Sequence, residues 1–273
     1  MIANNPIVVI RRRQSYRNGL VNCIIYAKTD TISVYSKRMN KPIKVVVIQP
    51  DKLVKSQKLP VVYLLHGHGG NHRAWLQSAP QLEAKANELN MLMVMPDGSR
   101  NSWYMNSPIN PAVQYEAFMI NELVPYIDSA YPTNLKRAIT GLSMGGHGAF
   151  YLSFRNKGIF GAAGSICGGV DIRPFPKNWE LNQLLGEINE QPANWETNTV
   201  INIAENLQPG DLQIIFDCGY GDFFLNVNRA LHQKLLQKKI PHDYTERPGA
   251  HNSAYWGSSI DGHLLYFSKF FNQ

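Results

Sequence analysis

Residues 139–154 read ITGLSMGGHGAFYLSF, and this short stretch decides the fold. A strand-like lead-in ends in glycine, a single serine follows at position 143, and a helix-like run begins directly after it. Residues 141–145, GLSMG, fit the pattern G-x-S-x-G between a predicted strand and a predicted helix. The two glycines leave room for a tight turn that raises the serine hydroxyl above the end of the sheet. We therefore interpret Ser143 as a nucleophile and not as an incidental serine in a glycine-rich turn.

Strands and helices alternate along most of the chain. Two β-branched runs at 31–37 and 43–50 predict an antiparallel pair near the start. The later strands are predicted at 61–67, 91–98, 135–143, 159–169, 212–219 and 241–249, and the later helices at 79–90, 115–131, from Ser143 onward, 224–238 and 252–271. This order predicts an α/β fold, in which a mostly parallel sheet carries helices on both faces and an antiparallel N-terminal edge.

The length of 273 residues suits one large domain. We predict a single domain over 28–273, preceded by a basic N-terminal segment at 1–27. Residues 170–210 are rich in Pro, Asn and Trp and interrupt the alternation of strands and helices. Because this stretch is too long for a simple connection, we expect an insertion packed over the carboxyl edge of the sheet, where ligands bind in such folds.

Composition restricts the classes of function. The net charge is +7, and part of it lies in RRRQSYR at 11–17, but no aromatic-interleaved basic stripe follows, so nucleic acid is not an expected partner. No apolar run reaches the roughly 18 to 20 residues that span a bilayer. Three cysteines at irregular spacing predict neither a disulfide framework nor a zinc site. No signal peptide is recognisable, which predicts a cytoplasmic location by default.

A serine nucleophile needs a general base, and the base needs an acid that orients it. His251 lies in a Pro–Gly loop after the last predicted strand, where its ring can reach over the sheet to Ser143. His263, by contrast, falls inside the last predicted helix and is expected on its surface. The stretch FDCGYGDFF offers two acids, Asp217 at the strand end and Asp222 in the loop beyond it, and we prefer Asp222.

The oxyanion of a tetrahedral intermediate needs two N–H donors. The backbone N–H of Met144, directly after the nucleophile, supplies one of them. The stretch LLHGHGGN at 64–71 ends an early strand and is of the HGGG type, so the backbone N–H of His68 supplies the other. His66 and His68 also have a spacing that suits zinc, but no third ligand is placed nearby, and we predict no metal and no cofactor.

Several large side chains follow strand ends and are candidates for the mouth of the site. The aromatic candidates are Trp75, Trp103, Tyr104 and Trp256, and Asp171 is a polar candidate. Aromatic rings at this edge stack on sugars or phenolic groups, but they also close protein cores. Each of these residues therefore has two open interpretations, as a substrate contact or as part of the core or a turn.

Six segments together resemble the putative esterase family of α/β-hydrolases, which includes S-formylglutathione hydrolases, feruloyl and acetylxylan esterases, tributyrin esterases and mycolyltransferases. The segments are VVYLLHGHGGNHRAW, PDGSRNSWY, YEAFMINELVPYID, RAITGLSMGGHGAF, DCGYGDFF and RPGAHNSAYW, and the resemblance covers residues from about 40 to 271. The family's acid follows a CG–x–x–D arrangement that matches Asp222, and its histidine follows a Pro–Gly pair that matches His251. Its oxyanion donors match His68 and Met144.

The resemblance implies an α/β-hydrolase fold and hydrolysis of short acyl esters, including acetyl or feruloyl esters of carbohydrates. Small-molecule or carbohydrate esters are the expected partners, and the oligomeric state is left open. An acyltransferase and an S-formylglutathione-type thioesterase use the same triad and remain alternatives. A silent hydrolase fold that only binds ligands is the alternative from another class. Many relatives are exported, so the resemblance conflicts with the cytoplasmic location predicted by default.

Overall fold

One twisted sheet organises the molecule. A computed structural model of the protein describes residues 27–51 and 57–273. Its eight strands are β1 Lys28–Ser36, β2 Lys41–Gln49, β3 Leu59–Leu65, β4 Leu92–Pro96, β5 Thr133–Gly141, β6 Ala162–Ile166, β7 Gln213–Gly219 and β8 Asp243–Arg247. They lie in the order β1-β2-β4-β3-β5-β6-β7-β8. The β1–β2 and β2–β4 pairs are antiparallel and all other pairs are parallel, which confirms the predicted fold class.

Helices cover both faces of the sheet. They are α1 Ala74–Ser78, α2 Leu82–Leu89, α3 Tyr115–Phe118, α4 Val124–Ala130, α5 Met144–Arg155, α6 Leu181–Leu185, α7 Pro192–Asn198, α8 Val200–Ile203, α9 Leu225–Gln237 and α10 Ser253–Phe271. A π-helical turn at Met119–Leu123 joins α3 to α4, and a 3₁₀ turn at Ala204–Asn206 follows α8. None of the helices in the described ranges is both long and apolar enough to cross a membrane.

The core consists of two apolar layers, one on each face. In β3, Tyr63 and Leu65 belong to one cluster, whereas Val62 and Leu64 belong to the other. This division follows from the alternation of side chains along a strand, and because both faces are covered the strand is a continuous apolar run. Helices α1, α2 and α10 supply the layer that contains Val62, and α3, α4, α5 and α9 supply the layer that contains Tyr63. Burial of these apolar side chains on both faces holds the strands in place, and with them the loops at the strand ends.

Three sequence expectations concern the N-terminal segment, His263 and residues 170–210. The predicted basic segment at 1–27, with its arginines at 11–17, lies outside the described residues except for Ala27. His263 is buried in α10 and not on its surface, because its ring contacts Thr140 beneath the sheet. Residues 170–210 do form a long excursion between β6 and β7, built from α6, α7 and α8.

The turn between β5 and α5 allows no side chain at Gly145. A Cβ atom there would lie 2.3 Å from the carbonyl oxygen of Leu65 and 2.7 Å from that of His66, both of them backbone atoms that cannot move aside. We therefore expect Gly145→Ala to lower the free energy of unfolding by about 1–3 kcal/mol, as overpacked sites do. Urea unfolding of both proteins measures the change.

Gly262 in α10 is the matched control, since a Cβ built there meets no atom within 4 Å. Gly262→Ala should raise the free energy of unfolding by about 0.5–1 kcal/mol, because alanine loses less backbone entropy in a helix. Equal stabilities of Gly145→Ala and the wild type would contradict the packing described for the turn.

Candidate active site

Ser143 occupies the turn between β5 and α5 in a strained backbone conformation. Its φ of 55° and ψ of −116° are unusual for a residue other than glycine. The turn is held by hydrogen bonds from the Ser143 N–H to the Ile166 carbonyl at 2.9 Å and from the Gly145 N–H to the Leu142 carbonyl at 2.7 Å. These bonds fix the backbone on both sides of the serine. The side chain is consequently presented at the carboxyl edge of the sheet and at the start of α5.

A chain of hydrogen bonds joins Ser143, His251 and Asp222. The serine hydroxyl donates to Nε2 of His251 at 2.9 Å, and Nδ1–H of His251 donates to Oδ2 of Asp222 at 2.7 Å. The other carboxylate oxygen of Asp222 accepts the N–H of Phe224 at 2.8 Å. The Asp222 side chain is fully buried, and that of His251 is 16% exposed. This arrangement has the geometry in which a base activates a hydroxyl and an acid orients the base.

The electrostatics of His251 follow from its two neighbours. Burial by itself would lower the pKa of His251, but hydrogen bonds to the Asp222 carboxylate and to Cys167 outweigh burial and raise the pKa from 6.5 to about 9. Aromatic rings enclose the imidazole, with the Phe223 ring centroid at 4.3 Å and that of Trp256 at 5.1 Å. A charged imidazole at this position therefore has a buried carboxylate partner and aromatic neighbours.

Asp217, the other acid weighed from the sequence, serves a different network. Its carboxylate accepts hydrogen bonds from the Ser259 hydroxyl at 2.5 Å and the Tyr255 hydroxyl at 3.3 Å. Nε2 of His263 lies 3.7 Å from its other oxygen. These partners all belong to α10, so Asp217 connects β7 to that helix. Among the two acids, only Asp222 contacts His251.

The loop after β3 is fixed by buried hydrogen bonds from several directions. Nδ1–H of His66 donates to the Gly67 carbonyl at 2.8 Å, and Nε2 of His66 accepts the Gly98 N–H at 2.8 Å. The Tyr104 hydroxyl accepts the His66 N–H at 3.0 Å, and the Gly69 N–H donates to the Arg100 carbonyl at 2.7 Å. Burial lowers the pKa of His66, which keeps this ring neutral in its double role. Both ring nitrogens of His66 are thus engaged by the protein.

His68 and Met144 flank the serine from two elements. Met144 is the first residue of α5, and the first N–H groups of a helix have no acceptor inside it. His68 follows the fixed loop and lines the same cavity as Ser143. Its ring contacts the insertion, with Nε2 3.2 Å from Oε2 of Glu180. Of the two residues predicted as oxyanion donors, His68 therefore lines the cavity, whereas Met144 is buried directly after Ser143.

A cavity of about 370 Å³ opens above Ser143 and His251. Three aromatic side chains, Trp179, Phe223 and Trp256, line it together with small residues of the β3 loop and α1. The rings of Trp179 and Phe223 are stacked with centroids 5.7 Å apart. A flat or apolar group of a ligand therefore has aromatic faces to contact within reach of the serine.

Four of the five residues suggested for the mouth do not line this cavity, and the interpretation as substrate contacts is corrected for them. Trp75, Trp103 and Tyr104 are at most 1% exposed. Trp75 donates from its indole to the Leu65 carbonyl at 2.9 Å, and Tyr104 supports the loop after β3. Asp171 binds the Arg173 guanidinium at 2.8 Å. These side chains close the core or a turn, and Trp256 alone of the five reaches the cavity.

Trp179 and Phe223 were missed from the sequence as individual residues. Trp179 lies in the insertion at 170–210, where no periodicity indicates which residue turns inward. Phe223 directly follows Asp222, and this position next to the predicted acid is the sequence signal that could have identified it as a cavity residue. The insertion also reaches the β3 loop through Glu180, which contacts both His68 and, at 3.5 Å, the exposed Arg100. The insertion hence forms one wall of the site.

Comparison with known families decides what kind of protein carries this site. The model of the family described as "Putative esterase" matches residues 36–267. The chain belongs to the putative esterase family. As a member it is an enzyme of the carboxylic ester hydrolase class, as the resemblance implied. The match spans every strand from β2 to β8 and the loops that carry His68, Ser143, Asp222 and His251.

Relatives of this esterase include an acetyl esterase, an S-formylglutathione hydrolase and a ferulic acid esterase. An acetyl esterase from Caldicellulosiruptor saccharolyticus is 28% identical over 267 residues, covering 87% of this chain and 97% of that protein. The S-formylglutathione hydrolase of Mus musculus is 24% identical over 247 residues, covering 80% of this chain and 86% of that protein. A solved ferulic acid esterase superposes with a TM-score of 0.78 at 25% identity, covering 90% of this chain and 99% of that one.

Proposed function

We propose that this esterase hydrolyses short acyl esters through a covalent acyl-enzyme on Ser143. The observation that carries the proposal is the hydrogen-bonded chain from Ser143 through His251 to Asp222, at 2.9 Å and 2.7 Å. It ends in a buried carboxylate and opens into an aromatic cavity, so nucleophile, base and orienting acid have the geometry that acyl transfer needs. Membership of an esterase family supports the same reaction.

In the proposed mechanism His251 acts first as base and then as acid. Nε2 takes the proton of Ser143 as Oγ attacks the ester carbonyl, and Asp222 stabilises the imidazolium through Nδ1–H. The tetrahedral intermediate collapses as Nε2 protonates the leaving alcohol. Water, activated by the same nitrogen, then attacks the acyl-enzyme and releases the acid. The second hydrogen bond that Asp222 accepts, from the Phe224 N–H, holds its carboxylate in place against Nδ1–H of His251.

The backbone N–H groups of His68 and Met144 are proposed to bind the oxyanion of both intermediates. Such donors are preorganised when their loops cannot relax, and the hydrogen bonds around His66 and the start of α5 provide this rigidity. Loss of one donor typically lowers kcat by about 10²- to 10³-fold.

Acetyl esters of carbohydrates are the proposed substrate class. The acetyl esterase relative, matched over 97% of its length, supports a short acyl group. Trp179, Phe223 and Trp256 offer ring faces on which a sugar or a feruloyl group stacks. The S-formylglutathione hydrolase relative favours thioester hydrolysis as the second candidate. Acyl transfer to an alcohol other than water would use the same acyl-enzyme.

A substrate panel separates these candidates. We expect kcat/KM to be higher for p-nitrophenyl acetate than for the octanoate, and higher for acetylated xylo-oligosaccharides than for S-formylglutathione. Trp179→Ala should lower kcat/KM for the sugar and feruloyl esters more than for p-nitrophenyl acetate, since the small ester has little surface to stack. Faster turnover of S-formylglutathione would establish the thioesterase instead, and a glycerol ester as main product would establish transfer.

The pH dependence of kcat/KM reports the protonation of His251. Only the neutral imidazole accepts the serine proton, so the rate should rise with pH through the pKa of this group. Burial lowers that pKa, but Asp222 and Cys167 together outweigh burial and raise it from 6.5 to about 9, so the midpoint should lie well above 6.5 in the wild type. In Asp222→Asn the midpoint of the residual rate should fall. A wild-type midpoint at or below 6.5 would contradict the described electrostatics.

A further inference from the structure

A buried cysteine lies behind the hydrogen-bonded pair of His251 and Asp222 and has no part in the proposed mechanism. Cys167 follows β6 directly, in a left-handed backbone conformation with φ of 47°. Its N–H donates to the Asp217 carbonyl at 2.8 Å, which fixes its backbone against β7. The side chain is completely buried. A fixed, enclosed thiol therefore stands at the back of the catalytic imidazole.

Three potential metal ligands converge at this point. The Cys167 sulfur, a carboxylate oxygen of Asp222 and a ring nitrogen of His251 all lie within 4.8 Å of one another. Within residues 27–51 and 57–273, this is the group of three such ligands that could hold a metal ion. Each ligand comes from a different loop at the carboxyl edge of the sheet, after β6, β7 and β8. The positions are consequently set by the fold.

The donor set selects for a particular kind of cation. Thiolate, imidazole and carboxylate together suit Zn²⁺ or Cd²⁺, which accept sulfur, nitrogen and oxygen in tetrahedral sites. Mg²⁺ and Ca²⁺ prefer oxygen ligands only and gain nothing from a thiolate. Three protein ligands would leave a fourth position for water.

We propose that Cys167, Asp222 and His251 form an inhibitory binding site for Zn²⁺ and related thiophilic divalent cations. The inhibition rests on the function proposed above, whereas the binding does not. On coordination the cation bonds to the Cys167 sulfur, the Asp222 carboxylate and Nδ1 of His251. The thiol proton is released to solvent. Nδ1 also gives up its proton, to Nε2 when the ring starts neutral and to solvent when it starts as imidazolium, so the bound ring carries its one proton on Nε2.

Inhibition follows from this change of tautomer. A neutral imidazole with a cation on Nδ1 and a proton on Nε2 has no lone pair with which to accept the Ser143 proton. The Asp222 carboxylate is at the same time withdrawn from orienting the ring. The cation therefore removes the base without touching the nucleophile, and the inhibition should be reversed by a chelator.

Cys218 provides a matched control. It lies beside Cys167 on β7, is equally buried, and is not among the three converging ligands. Hydrogen bonding to Cys218, together with burial, raises the pKa of the Cys167 thiol, so in the absence of metal the sulfur stays protonated. A bound cation deprotonates its thiol ligand outright. Both cysteines are therefore buried in the same region, but only Cys167 belongs to the proposed metal site.

Cd²⁺ titration tests the binding independently of catalysis. Coordination by a thiolate produces an ultraviolet charge-transfer band, which we measure in the full chain with Cd²⁺ as probe. The band should develop with Cd²⁺ in the wild type, in Ser143→Ala and in Cys218→Ser, and should be lost in Cys167→Ser and in Cys167→Ala. Two replacements guard against one that fails to fold, and circular dichroism checks each variant. Loss of the band in Cys218→Ser, or its persistence without Cys167, would overturn the ligand set.

Inhibition of p-nitrophenyl acetate hydrolysis by Zn²⁺ is then measured. The rate of each variant in Zn²⁺ is divided by the rate of the same variant in the presence of a chelator. Cys167→Ser should raise the half-inhibitory Zn²⁺ concentration at least about tenfold, as loss of metal-site residues does, and Cys218→Ser should leave it unchanged. Mg²⁺ and Ca²⁺ should not inhibit. Equal Zn²⁺ sensitivity of Cys167→Ser and the wild type would overturn the inhibitory role. If the wild type lacked esterase activity, the proposed function would fail while the Cd²⁺ band still decided the binding site.

Discussion

Replacing Ser143 by alanine should lower kcat for p-nitrophenyl acetate by about 10⁴- to 10⁶-fold, because no other hydroxyl in the described part of the chain is bonded to His251. The residual rate would come from the oxyanion donors and from binding alone. The side chain is small and makes its hydrogen bond only to the histidine, so the free energy of unfolding should change little. Steady-state kinetics and urea unfolding of the purified variant measure both effects.

Ser153 supplies the control for this experiment. It lies on the same helix α5, is buried, and its hydroxyl donates to the Ala149 carbonyl at 2.7 Å. Ser153→Ala should keep a rate within a few-fold of the wild type. Similar losses in the two variants would indicate a disturbed helix and not a lost nucleophile, and an unaffected Ser143→Ala would remove Ser143 from the mechanism.

Replacing Asp222 by asparagine should lower kcat by about 10³- to 10⁴-fold while binding of substrate is retained. An amide in place of the carboxylate can donate to Nδ1 of His251, which favours the tautomer with its proton on Nε2 and so removes the base. It also removes the negative charge that stabilises the imidazolium. kcat and KM measured separately should show the loss in kcat.

Asp217→Asn is the matched comparison, because it makes the same chemical change five residues earlier. Its carboxylate binds α10 and not His251, so we expect a loss of stability of about 1.5–3 kcal/mol with kcat largely kept. The reverse result, a large loss of kcat in Asp217→Asn and a small one in Asp222→Asn, would assign the acid to the strand end.

Local chemistry made the fold and the serine turn predictable. The run from β5 into α5 is decided within about fifteen residues, since glycines at 141 and 145 are required by backbone contacts that any such turn makes. The strands of the sheet interior are continuous apolar runs, which predicted burial on both faces. Asp222 and His251 follow parallel strands whose carboxyl ends lie at one edge of the sheet. Their position near Ser143 could therefore be predicted from the order of strands along the chain.

Side-chain burial away from the turn could not be predicted from the sequence. Trp75 and Tyr104 follow strand ends just as Trp256 does, yet they turn into the core because a carbonyl at position 65 and the loop after β3 offer them partners. His263 reads as a surface residue in its helix until β5 places Thr140 against it. The direction of Trp179 depends on the tertiary course of the insertion, which has no repeating pattern.

Covalent labelling tests whether Ser143 is the nucleophile of an acyl-transfer site. The wild type is treated with a fluorophosphonate that phosphorylates activated serines, then digested and analysed by mass spectrometry. We expect one adduct, on the peptide that contains residues 139–154, which should be absent in Ser143→Ala and strongly reduced in Asp222→Asn. An adduct on any other residue, or equal labelling of the wild type and Ser143→Ala, would contradict the assignment of Ser143 as the nucleophile.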